Sequence, residues 1–247
     1  MFAPTVAAAS LKWCSASASA AGNVRTHNED AVLELPAAGL WVVADGMGGH
    51  RAGDVAAQSI VEGLGTVQRP QRFSQFLDEV EDRLRQVNAN LYQTAAVRGG
   101  TIGSTVAALL AFDRHCVSVW AGDSRIYRRR GGVLTCITRD HSAVQELLDR
   151  GALAPQDAAS HNAVNVITRA VGATSELCLD IELRTLRHDD RYLLCSDGLY
   201  KELSEADISE GLSEPDAASA CKALMGRALA GACGDNVSVV VVDFSAP

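Results

Sequence analysis

Short apolar runs rich in Val and Leu, about 4–6 residues long and bounded by glycine, recur along this 247-residue chain, and four of them carry an aspartate at one end. Leu40–Ala44 precedes Asp45-Gly46, Ser118–Gly122 precedes Asp123-Ser124, Tyr192–Ser196 precedes Asp197-Gly198, and Val237–Val242 follows Gly234-Asp235-Asn236. Runs of this kind read as buried strands, so each carboxylate is expected at a strand end. Asp45, Asp123 and Asp197 follow their strands whereas Asp235 precedes its own. If the last strand runs antiparallel to its neighbours, all four emerge on one edge of the sheet. Carboxylates gathered there repel one another and resist ionisation unless a cation compensates them. Hard oxygen donors suit Mg²⁺ or Mn²⁺, with water completing an octahedral shell, and thiolate sites are disfavoured.

The rest of the composition bounds the setting. A chain of this length with 47% apolar residues can bury a substantial core, and one domain over residues 1–247 is expected. The net charge of −8 argues against nucleic acid as a partner, since phosphate backbones call for a basic face. Seven cysteines, an odd number with no CxxC pair, read as buried free thiols in a reducing cytosol, so a cytoplasmic location is expected. The Ala-rich opening lacks a basic start and is interrupted by Lys12, unlike a secretory signal. No run approaches the roughly 18 apolar residues of a membrane span, so no membrane association is expected.

Strands are expected over 11–19, 31–35 and 40–44, then helical spacing over 53–65 and, more strongly, over 73–97. Closely spaced strands follow at 105–112, 115–121, 125–130 and 133–137, separated by turn residues typical of a meander. Residues 140–172 change character, with a short helix, Pro155 and polar Asn and His positions, and read as an insertion over a site. Strands return at 179–185, 191–195 and 236–243, with helices at 204–212 and 215–230. Strand groups interleaved with a few helices predict two antiparallel sheets packed face to face with helices outside.

Five motifs, Arg25-x-x-Asn28-Glu29-Asp30, Val43-Ala-Asp45-Gly46-Met47-Gly48-Gly49-His50, Gly122-Asp123-Ser124-Arg125, Cys195-Ser-Asp197-Gly198-Leu199 and Gly234-Asp235-Asn236, occur in an order that resembles the metal-dependent serine/threonine phosphatases of the 2C type, in a minimal bacterial form. The resemblance covers about residues 11–243 and implies an α+β fold, a four-layer α-β-β-α sandwich with two central antiparallel sheets and a flap at about 140–172. It implies two Mn²⁺ or Mg²⁺ ions and, in bacterial members, a further one near the flap. By resemblance Asp45 spans both metals, the Gly46 carbonyl adds a ligand, Asp197 and Asp235 hold the first metal, Glu29 acts through a water, and Asp123 matches the ligand of the further ion.

Arg25 matches the family's phosphate-binding arginine, whose planar guanidinium can meet two phosphate oxygens at once. His50 is the candidate general acid. Eukaryotic relatives place a histidine directly after the Asp-Gly pair, where this chain has Met47. Within the flap, His161 and Arg169 are the candidates for touching a phosphopeptide. Thr101, Gly103, Ser104 and Thr105 read as packing, Asp30 as a local hydrogen-bonding residue or one supporting a metal ligand rather than a direct ligand, and Arg128-Arg129-Arg130 as a solvated hairpin run.

Phosphate monoesters hydrolyse extremely slowly without a catalyst, which must combine a nucleophile, charge neutralisation and in-line geometry. A two-metal site with ions about 3.5–4 Å apart supplies all three. The expected activity is therefore phosphoserine and phosphothreonine hydrolysis by a metal-activated water, without a phosphoenzyme. Phosphorylated proteins are the expected partners, among them an opposing Ser/Thr kinase, and a monomer is expected. The short domain also resembles phosphatases found beside kinases that control bacterial protein secretion. The alternative is a catalytically weak regulator with the same fold that binds phosphoproteins.

Overall fold

A computed structural model describes residues 11–48, 52–69 and 71–246. The chain opens with three strands, β1 (Lys12–Ala20), β2 (Asp30–Leu35) and β3 (Leu40–Gly48), followed by helices α1 (Ala52–Leu64) and α2 (Phe73–Arg98). A strand series follows: β4 (Ile102–Ser104), β5 (Val106–Phe112), β6 (His115–Ala121), β7 (Arg125–Arg130) and β8 (Val133–Cys136). The flap holds α3 (Ala143–Asp149) and a 3-10 turn over Pro155–Ser160. The chain then forms β9 (Asp180–Thr185), β10 (Arg191–Cys195), α4 (Asp197–Glu202), α5 (Glu205–Gly211), α6 (Ala217–Ala230) and β11 (Val237–Ser245).

Two sheets result, β1-β11-β10-β7-β8 and β2-β3-β5-β6-β9, with β4 paired to β3, and every pairing is antiparallel. The apolar runs are continuous because both faces of each sheet are covered, so alternate residues serve different cores. Along β3, Leu40, Val42 and Ala44 face Ile60 and Leu64 of α1 and Phe76, Val80 and Leu84 of α2, while Trp41 and Val43 face the other sheet. Along β11, Val239 and Val241 face α5 and α6, whereas Val240, Val242 and Phe244 join Trp41 between the sheets. The apolar layers between helices and sheet, between the two sheets, and between sheet and helices make the fold an α+β, four-layer α-β-β-α sandwich.

The helices form where apolar side chains recur at helical spacing, as in Phe76, Val80, Leu84, Val87, Leu91 and Ala95 of α2. Caps fix other starts. Ser204 and Asp207 make a reciprocal capping box at α5, and the Asp216 carboxylate accepts from the Ser219 amide at α6. No helix among the described residues is long and apolar enough to cross a membrane.

Three expectations need correction. Asp45 does not end its strand: β3 continues to Gly48 because Gly46, Met47 and Gly48 pair with the short β4, an element the turn-rich Thr101–Thr105 stretch did not announce. Asp197 does not end its strand but lies two residues past the end of β10, where it opens α4. All seven cysteines are free, but Cys14 and Cys178 are exposed rather than buried.

Candidate metal centre

The carboxylates do not line one edge of a single sheet; they meet in the cleft between the two. Asp45 comes from the second sheet and Asp123 follows it at the end of β6, whereas Asp197 and Asp235 flank the strands β10 and β11 of the first. The antiparallel run of β11 beside β10 brings the start of one strand to the end of the other, as the sequence required. Asp30, read from sequence as a hydrogen-bonding or supporting residue rather than a direct ligand, lies directly opposite Asp45 in the β2–β3 ladder and enters the cleft with it.

Asp45 is braced from both sides. Its amide donates to Thr105 Oγ1 at 3.0 Å, and its carbonyl accepts from the Ser104 hydroxyl at 3.0 Å and the Thr105 amide at 2.9 Å. Ser104 and Thr105, read from sequence as packing, are thus what fixes the backbone under the central carboxylate. The segment also tolerates no side chain at Gly46, where a Cβ would lie 2.0 Å from the Gly53 carbonyl. Gly46 leaves room for the backbone to come close to whatever the carboxylates hold.

Asn236 secures the other wall. Its side-chain oxygen accepts from the Glu29 amide at 2.8 Å, and its amide nitrogen donates to the carbonyls of Ala21 at 3.1 Å and His27 at 2.9 Å. This fixes the loop carrying Arg25, Glu29 and Asp30 against the start of β11. Arg25 itself reaches Asp235 with two nitrogens, 3.1 Å to Oδ1 and 3.2 Å to Oδ2, while its side chain remains 55% exposed. The Glu29 carboxylate packs over Gly53, where an added Cβ would approach its Oε1 to 2.9 Å.

The electrostatics of the cleft are those of crowded anions. Burial, then the neighbouring Asp30, Asp197, Asp123 and Asp235, push Asp45 well above the usual carboxylate range. Asp30 rises to about 7, chiefly by burial, although a 2.7 Å hydrogen bond from the Ser196 hydroxyl holds it down in part. Asp123 also rises to about 7, first by burial and then by Asp197 and Asp140. One oxygen of Asp30 and one of Asp123 are buried without a hydrogen-bond partner.

Among the described residues, no three Asp, Glu, His or Cys side chains already close around a single point. Instead, two carboxylates each carry a cation of the chain itself: Arg25 on Asp235, and Lys201 on Asp197 at 2.5 Å. Asp45, Asp30 and Asp123 have no such partner among the described residues, and the donors are all hard oxygens. That combination fits divalent Mn²⁺ or Mg²⁺.

Beside Asp123 and Lys201 opens a cleft of about 530 Å³, roofed by flap residues such as Val144, Leu148 and Val164. The flap roots are pinned: Ser142 bridges to Ile167, Val171 bridges to Ser104, and Asn88 of α2 accepts from the Gly172 amide at 2.7 Å. Arg169 serves this root, donating to Asp180 at 2.7 Å beside His141, which stacks on Trp120. His161 caps a local turn, its Nδ1 accepting from the Ala163 amide. His50 lies outside the described residues.

Comparison with known proteins places this arrangement. The serine/threonine protein phosphatase PstP of Mycobacterium tuberculosis is 38% identical over 224 residues, which make up 90% of this chain; the chain spans only 43% of that relative. A solved structure of PppA, a key regulatory component of T6SS in Pseudomonas aeruginosa, has 41% identity and a TM-score of 0.90 over 96% of this chain and 99% of that one. The catalytic domain of PstP, solved in complex with 2 manganese ions, superposes with a TM-score of 0.86 at 35% identity, covering 96% of this chain and 100% of that one. The family model for protein phosphatase 2C matches residues 21–229, a span that takes in Glu29, Asp45, Asp123 and Asp197 and stops short of Asp235. Because that span is most of the chain and the braced carboxylates fall where its strands converge, the chain belongs to the protein phosphatase 2C family.

Proposed function

We propose that this chain is a metal-dependent phosphoprotein phosphatase that hydrolyses phosphoserine and phosphothreonine in the cytoplasm. The observation that carries the reading is the mutually repelling set of half-buried Asp45 and Asp30 and buried Asp123, which receives no cation from the described residues. Asp45, the Gly46 carbonyl, Asp197, Asp235 and, through water, Glu29 would hold two Mn²⁺ or Mg²⁺ ions, with Asp123 offered to a further one. Bound there, the ions supply charge neutralisation and an activated water.

The chain's own residues do the rest. Ser104 and Thr105 keep Asp45 from shifting as charge develops, so no reorganisation is needed at the moment of reaction. Arg25, held at the rim by Asp235 and half open to solvent, offers its remaining nitrogen donors to the phosphoryl oxygens. The flap cleft next to Asp123 would take the polypeptide around the phosphorylated residue. Likeness to PppA supports a substrate within a T6SS-type signalling route, opposed by a Ser/Thr kinase.

The deciding experiment is phosphate release from a phosphothreonine peptide with Mn²⁺, with EDTA, and with Asp45→Ala. Turnover that needs Mn²⁺ and vanishes in the variant is expected; no turnover by the folded protein with Mn²⁺ would overturn the reading.

A further inference from the structure

Lys201 stands one helical turn beyond Asp197 on α4, and its ammonium is shared between two elements that otherwise do not touch through it. Nζ lies 2.5 Å from Asp197 Oδ2 and 2.9 Å from Oδ1 of Asn165 in the flap. The Asp197 side chain is 12% exposed and that of Lys201 34%, so the ion pair is partly shielded from solvent screening. Asp123 and Asp235 add their attraction to that of Asp197 and hold the ammonium charged despite its partial burial. Resting on the metal-centre reading above, we propose that Lys201 is a built-in competing cation: it occupies Asp197 and latches the flap through Asn165, and a divalent ion taking Asp197 displaces it and unlatches the flap.

The physical argument is one of exclusion. A divalent cation and an ammonium on the same carboxylate oxygen would repel each other at contact distance, and the partly buried setting screens that repulsion poorly. The aspartate sits at the start of the helix and the lysine four residues on, so the lysine can leave by changing rotamers alone, without moving the main chain. Once it leaves, Asn165 loses the donor that ties it to α4. Metal occupancy and flap freedom are thereby linked, and the linkage is reciprocal: whatever holds the flap down on Lys201 weakens metal binding. Lys201 acts through Asp197 and is a positioning residue.

The test combines Mn²⁺ titration calorimetry with hydrogen–deuterium exchange over residues 158–168 in the full chain. Lys201→Met is expected to bind Mn²⁺ about tenfold more tightly than the wild type, the loss of a charge-assisted contact of intermediate exposure, and Lys201→Arg to stay near the wild type. Adding Mn²⁺ should speed exchange over 158–168 in the wild type. In Lys201→Met that exchange should already be fast without metal and should not respond to it. Asn165→Ala should free the flap and, by the same linkage, tighten Mn²⁺ binding, though by less than Lys201→Met, because the ammonium keeps its place on Asp197. Equal affinities in wild type and Lys201→Met, or a wild-type flap indifferent to Mn²⁺, would overturn the proposal alone. A folded wild type that binds no Mn²⁺ would remove the metal reading as well.

Discussion

The two ends of the sandwich treat their aspartates oppositely. At one end, Asp190 is fully buried and clasped by Arg130, with Nε 2.5 Å from Oδ1 and a second nitrogen 2.6 Å from Oδ2, while the Arg187 amide adds a third bond. Arg191 likewise clasps Asp243 with two nitrogens and reaches on to the carbonyls of Leu212 and Glu214. At the other end, Asp45, Asp30 and Asp123 crowd together with no arginine upon them among the described residues. A buried carboxylate is stable only when its charge is met, so the first end is finished within the polypeptide and the second is built to be finished by something else. The contrast also settles the arginine run, which the sequence presented as a solvated hairpin: Arg130 is a staple that closes the sandwich.

Removing Asp45 should break the contrast most. Asp45→Ala is expected to lower phosphatase turnover by several orders of magnitude while raising the melting temperature of the metal-free protein, because a source of repulsion is gone. Steady-state kinetics and a thermal melt in EDTA check both halves; a variant that melts lower would show that the cleft is not strained by its charge. At the finished end the outcome reverses. Asp190→Ala leaves the Arg130 guanidinium uncompensated and should cost about 3–5 kcal/mol in a denaturant titration, with turnover per folded molecule unchanged.

The pH dependence of stability sharpens the same comparison. Asp30 and Asp123 sit at about 7 in the folded protein, so between about pH 4 and pH 7 the native state keeps protons that the unfolded chain has released. Stability of the EDTA-treated protein should therefore fall as pH rises through that window, by at most about 1.4 kcal/mol per pH unit for each group, and level off above it. Saturating Mn²⁺ should flatten the slope; a metal-free protein that gains stability between pH 5 and pH 7 would contradict the crowded-anion picture. The smallest effect belongs to the rim. Arg25→Ala should raise KM for a phosphothreonine peptide with little change in kcat, a loss of about 1.5–3 kcal/mol in kcat/KM, and an unchanged KM would remove Arg25 from substrate binding.

The sequence made the layers legible because burial on both faces leaves an unmistakable trace, as in Val237–Val242, and because α2 repeats its apolar positions over about five turns from Phe76 to Ala95. It made the carboxylates legible through their repeated position beside such runs. It left hidden whatever depends on pairing between distant segments. The strand through Asp45 continues only because β4, far along the chain, pairs with it. Asp30 matters because the β2–β3 register sets it opposite Asp45, a relation fixed by the turn over residues 36–39 rather than by local pattern. The Lys201–Asp197 pair was within reach, since an aspartate opening a helix with a lysine four residues later is a recognisable stabilising pattern, but Asp-Gly after an apolar run reads first as a turn.

Asn236 joins Glu29, Ala21 and His27 across 207, 215 and 209 residues of chain, and β1 finds its neighbour only in β11. Contacts of such range are slow to close and cannot form until β11 has been made. The first strand must then wait on the ribosome, unpaired, until the last has emerged. The cleft that gathers the carboxylates is therefore complete only after β11 has been made, and a chain cut short before β11 would hold all of α1–α6 and a cleft left unclosed.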